Sequence, residues 1–310
     1  MTIKGGRGIS SLLLWPGAFL SLLCRSFWTR WRIGLLHQRE SVIEFCAEAR
    51  QANTARQRLL IVITHVVSEE EARTGSPVKL NRLIASIEGA LVSLSHCELR
   101  IIVQSVAHRH LIAFLPEYLR RRIELVEQAG CDPMYIEFLV PDIFLQYRDG
   151  FDWFLFLEDD IVIRDSWILE KLAYFNRMVG DPSLLLLPNR YEVLDGEKVY
   201  IDLRWKKDFK EFAWNRFATF AMESVTFGEC ANAHAAFYCL NRAQLDLWER
   251  SGRHWKNRVV MVGPLESAAT GCLFETFRLF KPHPDNLRFL EIEHRDTKYS
   301  RLITTKGHDW

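Results

Sequence analysis

Apolar and polar residues alternate in short blocks along most of this chain. Leu59–Val67 (LLIVITHVV) is a continuous β-branched run, which predicts a buried strand. Ser68–Val78, with three glutamates and Gly75-Ser76-Pro77, predicts a loop. Lys79–Ser93 places Leu80, Leu83, Ile84, Ile87 and Leu91 at helical spacing, and Leu99–Val106 predicts a second strand. Tyr118–Ala129 reads as a helix and Tyr135–Val140 as a strand. Phe151–Leu157 (FDWFLFL) is another strand, followed by a helix over Ser166–Met178 capped by Asp165 and a strand over Ser183–Leu187.

Strands alternating with helices predict an α/β fold: a mostly parallel, Rossmann-like sheet flanked by helices. The second half is less regular. Lys198–Leu203 and Ala235–Leu240 read as strands, and Gly263-Pro264 opens a helix running to about Arg278. No internal repeat or low-complexity linker divides residues 41–310, which are expected to form one catalytic unit.

Composition changes this picture at the N-terminus. The chain has 310 residues, 48% of them hydrophobic and 25% charged, enough apolar material for a large core without disulfides or a structural metal. Its formal net charge of +1 hides two unlike pieces. Residues 1–39 carry six basic side chains and no acid, so everything after them sums to −5. Ile9–Cys24 is apolar between basic flanks, but its 16 residues would span about 24 Å as a helix, against roughly 30 Å of hydrocarbon, and Pro16 would kink it. No small-residue cleavage site follows it.

Trp15, Phe19, Phe27, Trp28 and Trp31 among arginines suit a lipid headgroup boundary. Residues 1–40 are therefore expected to rest on a membrane surface, peripheral or monotopic, leaving the main domain cytoplasmic; a helix packed on the protein's own core and a true span are the alternatives. Seven scattered cysteines, without a Cys-x-x-Cys pair, and no Asn-x-Ser/Thr acceptor agree with a reducing compartment. No nucleic-acid partner is expected.

The chemistry concentrates where the Phe151–Leu157 strand runs into Glu158-Asp159-Asp160. Ligands of open parallel sheets gather at the carboxyl ends of strands, and three crowded carboxylates there would be relieved by a hard divalent cation, Mn2+ or Mg2+. An acidic turn leaving a strand is the plainer account. This run, between an aromatic-rich strand and Ile161-Val162-Ile163, resembles the Asp-x-Asp-type signature of GT-A fold glycosyltransferases, in its Glu-Asp-Asp form. The resemblance extends from about Leu59 to His294 and implies a metal-dependent enzyme with a nucleotide-diphosphate sugar as donor and a glycan or lipid-linked glycan as acceptor.

Carried onto this chain, the resemblance sets Glu158 near the ribose, Asp159 as its assistant, and Asp160 on the metal. It further implies a downstream carboxylate that deprotonates the acceptor, for which Glu266 just after Pro264 is the candidate, and a C-terminal histidine on the metal. His294 is the first choice for that histidine and His283 the second. Thr64 and His65 at the end of the first strand, and Asn81-Arg82 on the next helix, are expected to hold the nucleotide. Asn232 and His234 are candidates for acceptor contact. Trp205–Arg216, where rings interleave with charges, is either an acceptor groove or an ordinary amphipathic surface.

A nucleotidyltransferase is the enzymatic rival, although His65–Pro77 lacks the glycine-rich triphosphate loop such enzymes carry. A non-catalytic sugar-binding or membrane-associated protein is the other.

Overall fold

A computed structural model describes residues 56–202, 211–214, 225–230, 233–252, 259 and 263–306. The N-terminal segment of residues 1–40, Asn232 and most of Trp205–Arg216 lie outside the described residues.

Strand β1 (Arg58–Thr64) is buried from Leu59 onward, as its unbroken apolar run requires. The expected loop after it contains a helix, α1 (Glu69–Thr74), nucleated by a capping box. Ser68 Oγ accepts the Glu71 N–H at 3.2 Å, and the Glu71 carboxylate accepts the Ser68 N–H at 2.9 Å. Helix α2 (Pro77–Ser93) follows, with proline in its first turn and Leu83, Ile87 and Ala90 in the core. Gly89 lets α2 sit close to the chain beyond the acidic triplet. A Cβ there would lie 2.7 Å from Val162 Cγ1 and 2.9 Å from the Ile163 carbonyl oxygen.

After β2 (Glu98–Val106) the helix expected over Tyr118–Ala129 shrinks to one turn, α3 (Glu117–Arg120), and β3 (Ile123–Gln128) replaces the rest. The open edge of β2 decides this: it pairs in parallel with β3 from Ile101↔Ile123 to Val106↔Gln128, and strand pairing overrides a weak local preference. Tyr135–Val140 is likewise not a strand. Asp132 accepts the Met134 N–H at 3.0 Å and Pro133 starts a tight 3-10 turn, Pro133–Leu139, which runs into α4 (Val140–Gln146).

Strand β4 (Trp153–Glu158) ends at the acids and β5 (Ile161–Val162) leaves them. Helix α5 (Ile168–Val179) begins two residues later than expected, with Asp165 accepting the Trp167 N–H at 2.9 Å. Then come β6 (Leu184–Leu186), β7 (Asn189–Leu194), β8 (Glu197–Tyr200), β9 (Glu211–Trp214), β10 (Val225–Glu229) and β11 (Phe237–Asn241). Helix α6 (Arg242–Ser251) has an Asn241–Gln244 capping box. The helix expected from Pro264 to Arg278 is shorter. This segment, α7, joins Pro264–Glu266, a π-helical turn Ser267–Gly271 and Cys272–Phe274. The chain then becomes β12 (Arg278–Pro282), which pairs with β6 and β10. Strand β13 (Glu291–His294) and α8 (Lys298–Lys306) complete the described chain.

The expected α/β architecture with a parallel-rich central sheet is what forms. The central sheet has the order β11-β4-β1-β2-β3, parallel from β4 to β3, with β11 antiparallel at its edge. The two smaller sheets have the orders β6-β12-β10-β9 and β5-β13-β7-β8. In the central sheet the chain moves outward from β1 through β2 to β3, then returns to place β4 on the other side of β1. That reversal is a topological switch point, where a crevice opens at the strands' carboxyl ends.

Candidate functional site

The end of β1, Thr64-His65, and the end of β4, Glu158-Asp159-Asp160, flank this crevice. Thr64 stands in register with Glu158 on one side and Gln104 on the other, so the three side chains share a face of the sheet. Over that face lies Glu137, from the 3-10 turn that replaced the expected strand. Its Oε1 accepts the Thr64 hydroxyl at 3.2 Å, and its Oε2 is buried without a hydrogen-bond partner among the described residues. Burial first, and then the charge of Glu158, push the Glu137 pKa well above the ordinary carboxylate range. Burial and the neighbouring Asp160 charge likewise raise Glu158 to about 8.

His65 is buried and fixes Asp159. Its Nε2 accepts the Leu111 N–H at 3.2 Å, so the ring proton sits on Nδ1, which donates to Asp159 Oδ2. Both ring nitrogens are thereby engaged.

Asp160 sits in the turn between β4 and β5, and its carbonyl accepts the Arg295 N–H at 2.8 Å. The third sheet brings the histidine to it. Strand β13 pairs antiparallel with β5, setting His294 opposite Ile161, and His294 Nε2 lies 3.4 Å from Asp160 Oδ2. On its other side β13 runs parallel with β7, in the register Glu293↔Tyr191, which brings the next residue, Glu192, to His294. His294 Nδ1 lies 2.9 Å from Glu192 Oε1. Burial works against charge on His294, but the hydrogen bond and charge of Asp160, with help from Glu192, raise its pKa overall. Burial would raise Asp160, yet the hydrogen bond and charge of His294 hold it below its ordinary value.

The donor set fits a hard divalent cation. Asp160 Oδ1 and Glu158 Oε1 are buried without hydrogen-bond partners among the described residues. Among those same residues, however, no group of three or more His, Cys, Asp or Glu side chains forms a ready metal cage. Asp160 and His294 would supply two ligands and leave the rest of the shell to water and phosphate oxygens, the usual arrangement for such ions at phosphate sites.

Beside His294 a cleft of about 440 Å3 opens between the start of α2 and the loop after β13, lined by Asn81, Arg82, Arg295 and Thr297 among others. Arg82 spans it, 2.9 Å from Asp296 Oδ2. His283, the second choice for a metal ligand, stands elsewhere: its Nδ1 accepts the Asp285 N–H at 3.4 Å and caps the turn Pro284–Phe289.

Beneath the acids lies a buried cationic network. Arg190 donates from Nε and Nη2 to the two oxygens of Asp202, each at 2.8 Å. Lys281 Nζ donates to Asp202 Oδ2 at 3.3 Å and to the His234 carbonyl at 3.0 Å. Burial opposes the charge of Asp202, but Arg190 and Lys281 outweigh it and hold the carboxyl well below its usual range. Two cations share one acid here, and the charge of Arg190 reaches Glu158 and Asp160, favouring their ionised forms. The His234 side chain faces the same place, with Nδ1 3.1 Å from Thr270 Oγ1 and Nε2 4.0 Å from Glu158 Oε1. Burial, then the Arg190 charge, pull its pKa down to about 3 and keep it neutral.

Two residues later Ala236 adopts φ 50°, a left-handed conformation costing a non-glycine residue about 1–2 kcal/mol, and its carbonyl accepts the Glu158 N–H at 3.1 Å.

Glu266 occupies the first turn of α7. It makes no hydrogen bond or ion pair with Glu158, Asp159 or Asp160, but its segment packs on the turn carrying Glu137, and Thr270 one turn later meets His234.

The site therefore gathers Thr64, His65, Glu158, Asp159, Asp160 and His294, with Arg82 at the cleft beside them. Sequence reasoning missed Glu137, Arg190, Glu192, Asp202 and Lys281. A signal existed for two of them: Arg190-Tyr-Glu192-Val alternates polar with apolar, the pattern of a strand with polar residues on one face.

No protein-family model matches the chain, and no curated protein matches it in sequence. Among solved structures, 73% of the chain overlays 74% of mannose-1-phosphate geranyltransferase from Thermus thermophilus, at 14% identity and a TM-score of 0.37. The overlay on S. aureus TarS covers 82% of this chain but 40% of TarS, at 10% identity and a TM-score of 0.44. For TarS 1–349 in complex with UDP-GlcNAc the figures are 81% and 61%, at 9% identity and a TM-score of 0.39. Likenesses this distant leave the chemistry to be argued from the site itself.

Proposed function

We propose that this protein is a metal-dependent glycosyltransferase that moves a sugar from a nucleotide-diphosphate donor to a hydroxyl acceptor with inversion. One observation carries the reading: Asp160 and His294 converge at the switch point, with a buried carboxylate oxygen left unpartnered among the described residues, beside a cleft bearing Arg82.

Asp160 and His294 would hold Mn2+ or Mg2+. When bound, such an ion supplies positive charge against the negative charge that grows on a departing diphosphate. Glu158, beside Asp160 at the end of β4, meets the ribose hydroxyls, and Asp159 is held ready by His65. Arg82 exchanges Asp296 for a phosphate oxygen, a stronger partner for a guanidinium fork. Arg190 and Lys281 lend the site a fixed positive field that needs no reorganisation during reaction.

Glu266 takes the proton of the acceptor hydroxyl as its oxygen bonds to the anomeric carbon and the bond to the diphosphate breaks. Attack opposite the leaving group inverts that carbon. Residues 1–40 hold the enzyme at a membrane surface, which favours a lipid-linked glycan or a growing envelope polysaccharide as acceptor.

Product identity tests this reading. Incubated with Mn2+ and a panel of UDP- and GDP-sugars, the full chain is expected to release nucleoside diphosphate, measured by coupled assay. Silence with every sugar nucleotide, together with pyrophosphate release from a nucleoside triphosphate and a sugar 1-phosphate, would instead make it a nucleotidyltransferase.

A further inference from the structure

Glu192 is fully buried and no part of the proposed reaction uses it directly. Its carboxylate nevertheless joins three elements. Oε2 accepts the Ser300 N–H at 2.7 Å and Oε1 accepts the Tyr299 N–H at 3.3 Å, so the charge sits on the positive end of α8. The same Oε1 is 2.9 Å from His294 Nδ1.

The two donors from α8 fix the carboxylate as an acceptor, and at 2.9 Å from Nδ1 it draws the single proton of the neutral ring more strongly than Asp160 does at 3.4 Å from Nε2. Nε2, 3.4 Å from Asp160, is then the nitrogen whose lone pair is open to a cation. We propose that Glu192 is a positioning residue that sets the tautomer and direction of His294 for metal binding and ties that histidine to the start of α8. The inference rests on the metal site proposed above.

Glu192→Gln is the discriminating change because it is isosteric. The amide oxygen must stay on the closer α8 donor, the Ser300 N–H at 2.7 Å, since turning the NH2 there would set donor against donor, and the longer Tyr299 contact is given up. That leaves the NH2 facing Nδ1, which must then accept, and the ring proton moves to Nε2. The relation is the familiar one between a catalytic histidine and its orienting carboxylate.

Two readouts apply to the full chain. Long-range 15N-imidazole NMR of metal-free protein, at alkaline pH where the ring is neutral, is expected to show the Nδ1–H tautomer for wild-type His294 and Nε2–H in Glu192→Gln. Titration with Mn2+ alone, followed by EPR, is expected to show affinity falling about tenfold to a hundredfold in the variant. Wild-type His294 protonated on Nε2 would overturn the proposal and needs no variant to fold.

Unchanged Mn2+ affinity in a folded Glu192→Gln protein would also overturn it while leaving the metal site standing. Absence of Mn2+ binding by the wild type would overturn both, and the tautomer spectrum would then show Glu192 holding His294 for structure alone.

Discussion

Replacing Asp202 with alanine should cost about 3–5 kcal/mol of folding stability, because it leaves Arg190 and Lys281 buried with their shared counter-ion gone. Arg190 is 5% exposed and Lys281 0%, so water cannot take the place of the carboxylate. The depressed pKa of Asp202 keeps this contribution intact throughout the neutral range. It would be lost only as acid protonates the group below its ordinary titration range. In a thermal melt the loss corresponds to roughly 10 °C, and failure of the variant to accumulate as folded protein is the extreme form of the same result. Asp202→Asn, which keeps the shape and one acceptor, should fall between the two. A melting temperature within a degree or two of wild type for Asp202→Ala would show that the network is not what holds this region together.

Asp160→Ala should have the opposite profile: little loss of stability and a large loss of function. The substitution removes one of three adjacent acids: burial, the larger cause of the raised Glu158 pKa, remains, but the Asp160 repulsion is lost and the pKa moves down. The partner that raises the His294 pKa is lost at the same time. The proposed metal site, reduced to one protein ligand, should bind Mn2+ too weakly to hold a diphosphate. Metal-dependent nucleotide affinity is therefore expected to drop at least about a hundredfold, and transfer by about three orders of magnitude. Calorimetric titration of nucleotide with and without Mn2+ measures the first, and nucleoside diphosphate release the second. A variant that still binds nucleotide only when metal is present, with wild-type affinity, would remove Asp160 from the metal site.

These two aspartates also mark how far the sequence could be read. Asp160 is visible because it follows a strand of six residues that is hydrophobic up to Glu158, and the end of such a strand in a parallel sheet is a definite place. His294 is visible because an alternating run precedes it. Asp202 has no such local signature: its partners lie 12 and 79 residues away and meet it only after the smaller sheets form. Glu137 is silent for the same reason, its partner Thr64 lying 73 residues away.

In the fold, long apolar runs such as Leu59–Val67 are legible because nothing else buries so many β-branched residues in succession. Short stretches are not. Ile123–Gln128 became a strand because the edge of β2 was open to it. Pro133–Leu139 became a tight turn because Asp132 and Pro133 start one. The helix at Glu69–Thr74 could have been read from Ser68 and Glu71, a capping box already present in the sequence.

The central claim, a nucleotide-diphosphate sugar site completed by a divalent cation, is tested most directly by thermal shift of the wild-type full chain with UDP, GDP and CMP, each with Mn2+ and with EDTA. One diphosphate nucleotide is expected to raise the melting temperature by several degrees with Mn2+ and to do nothing with EDTA; no shift with any of the three, or an equal shift with EDTA, would contradict it.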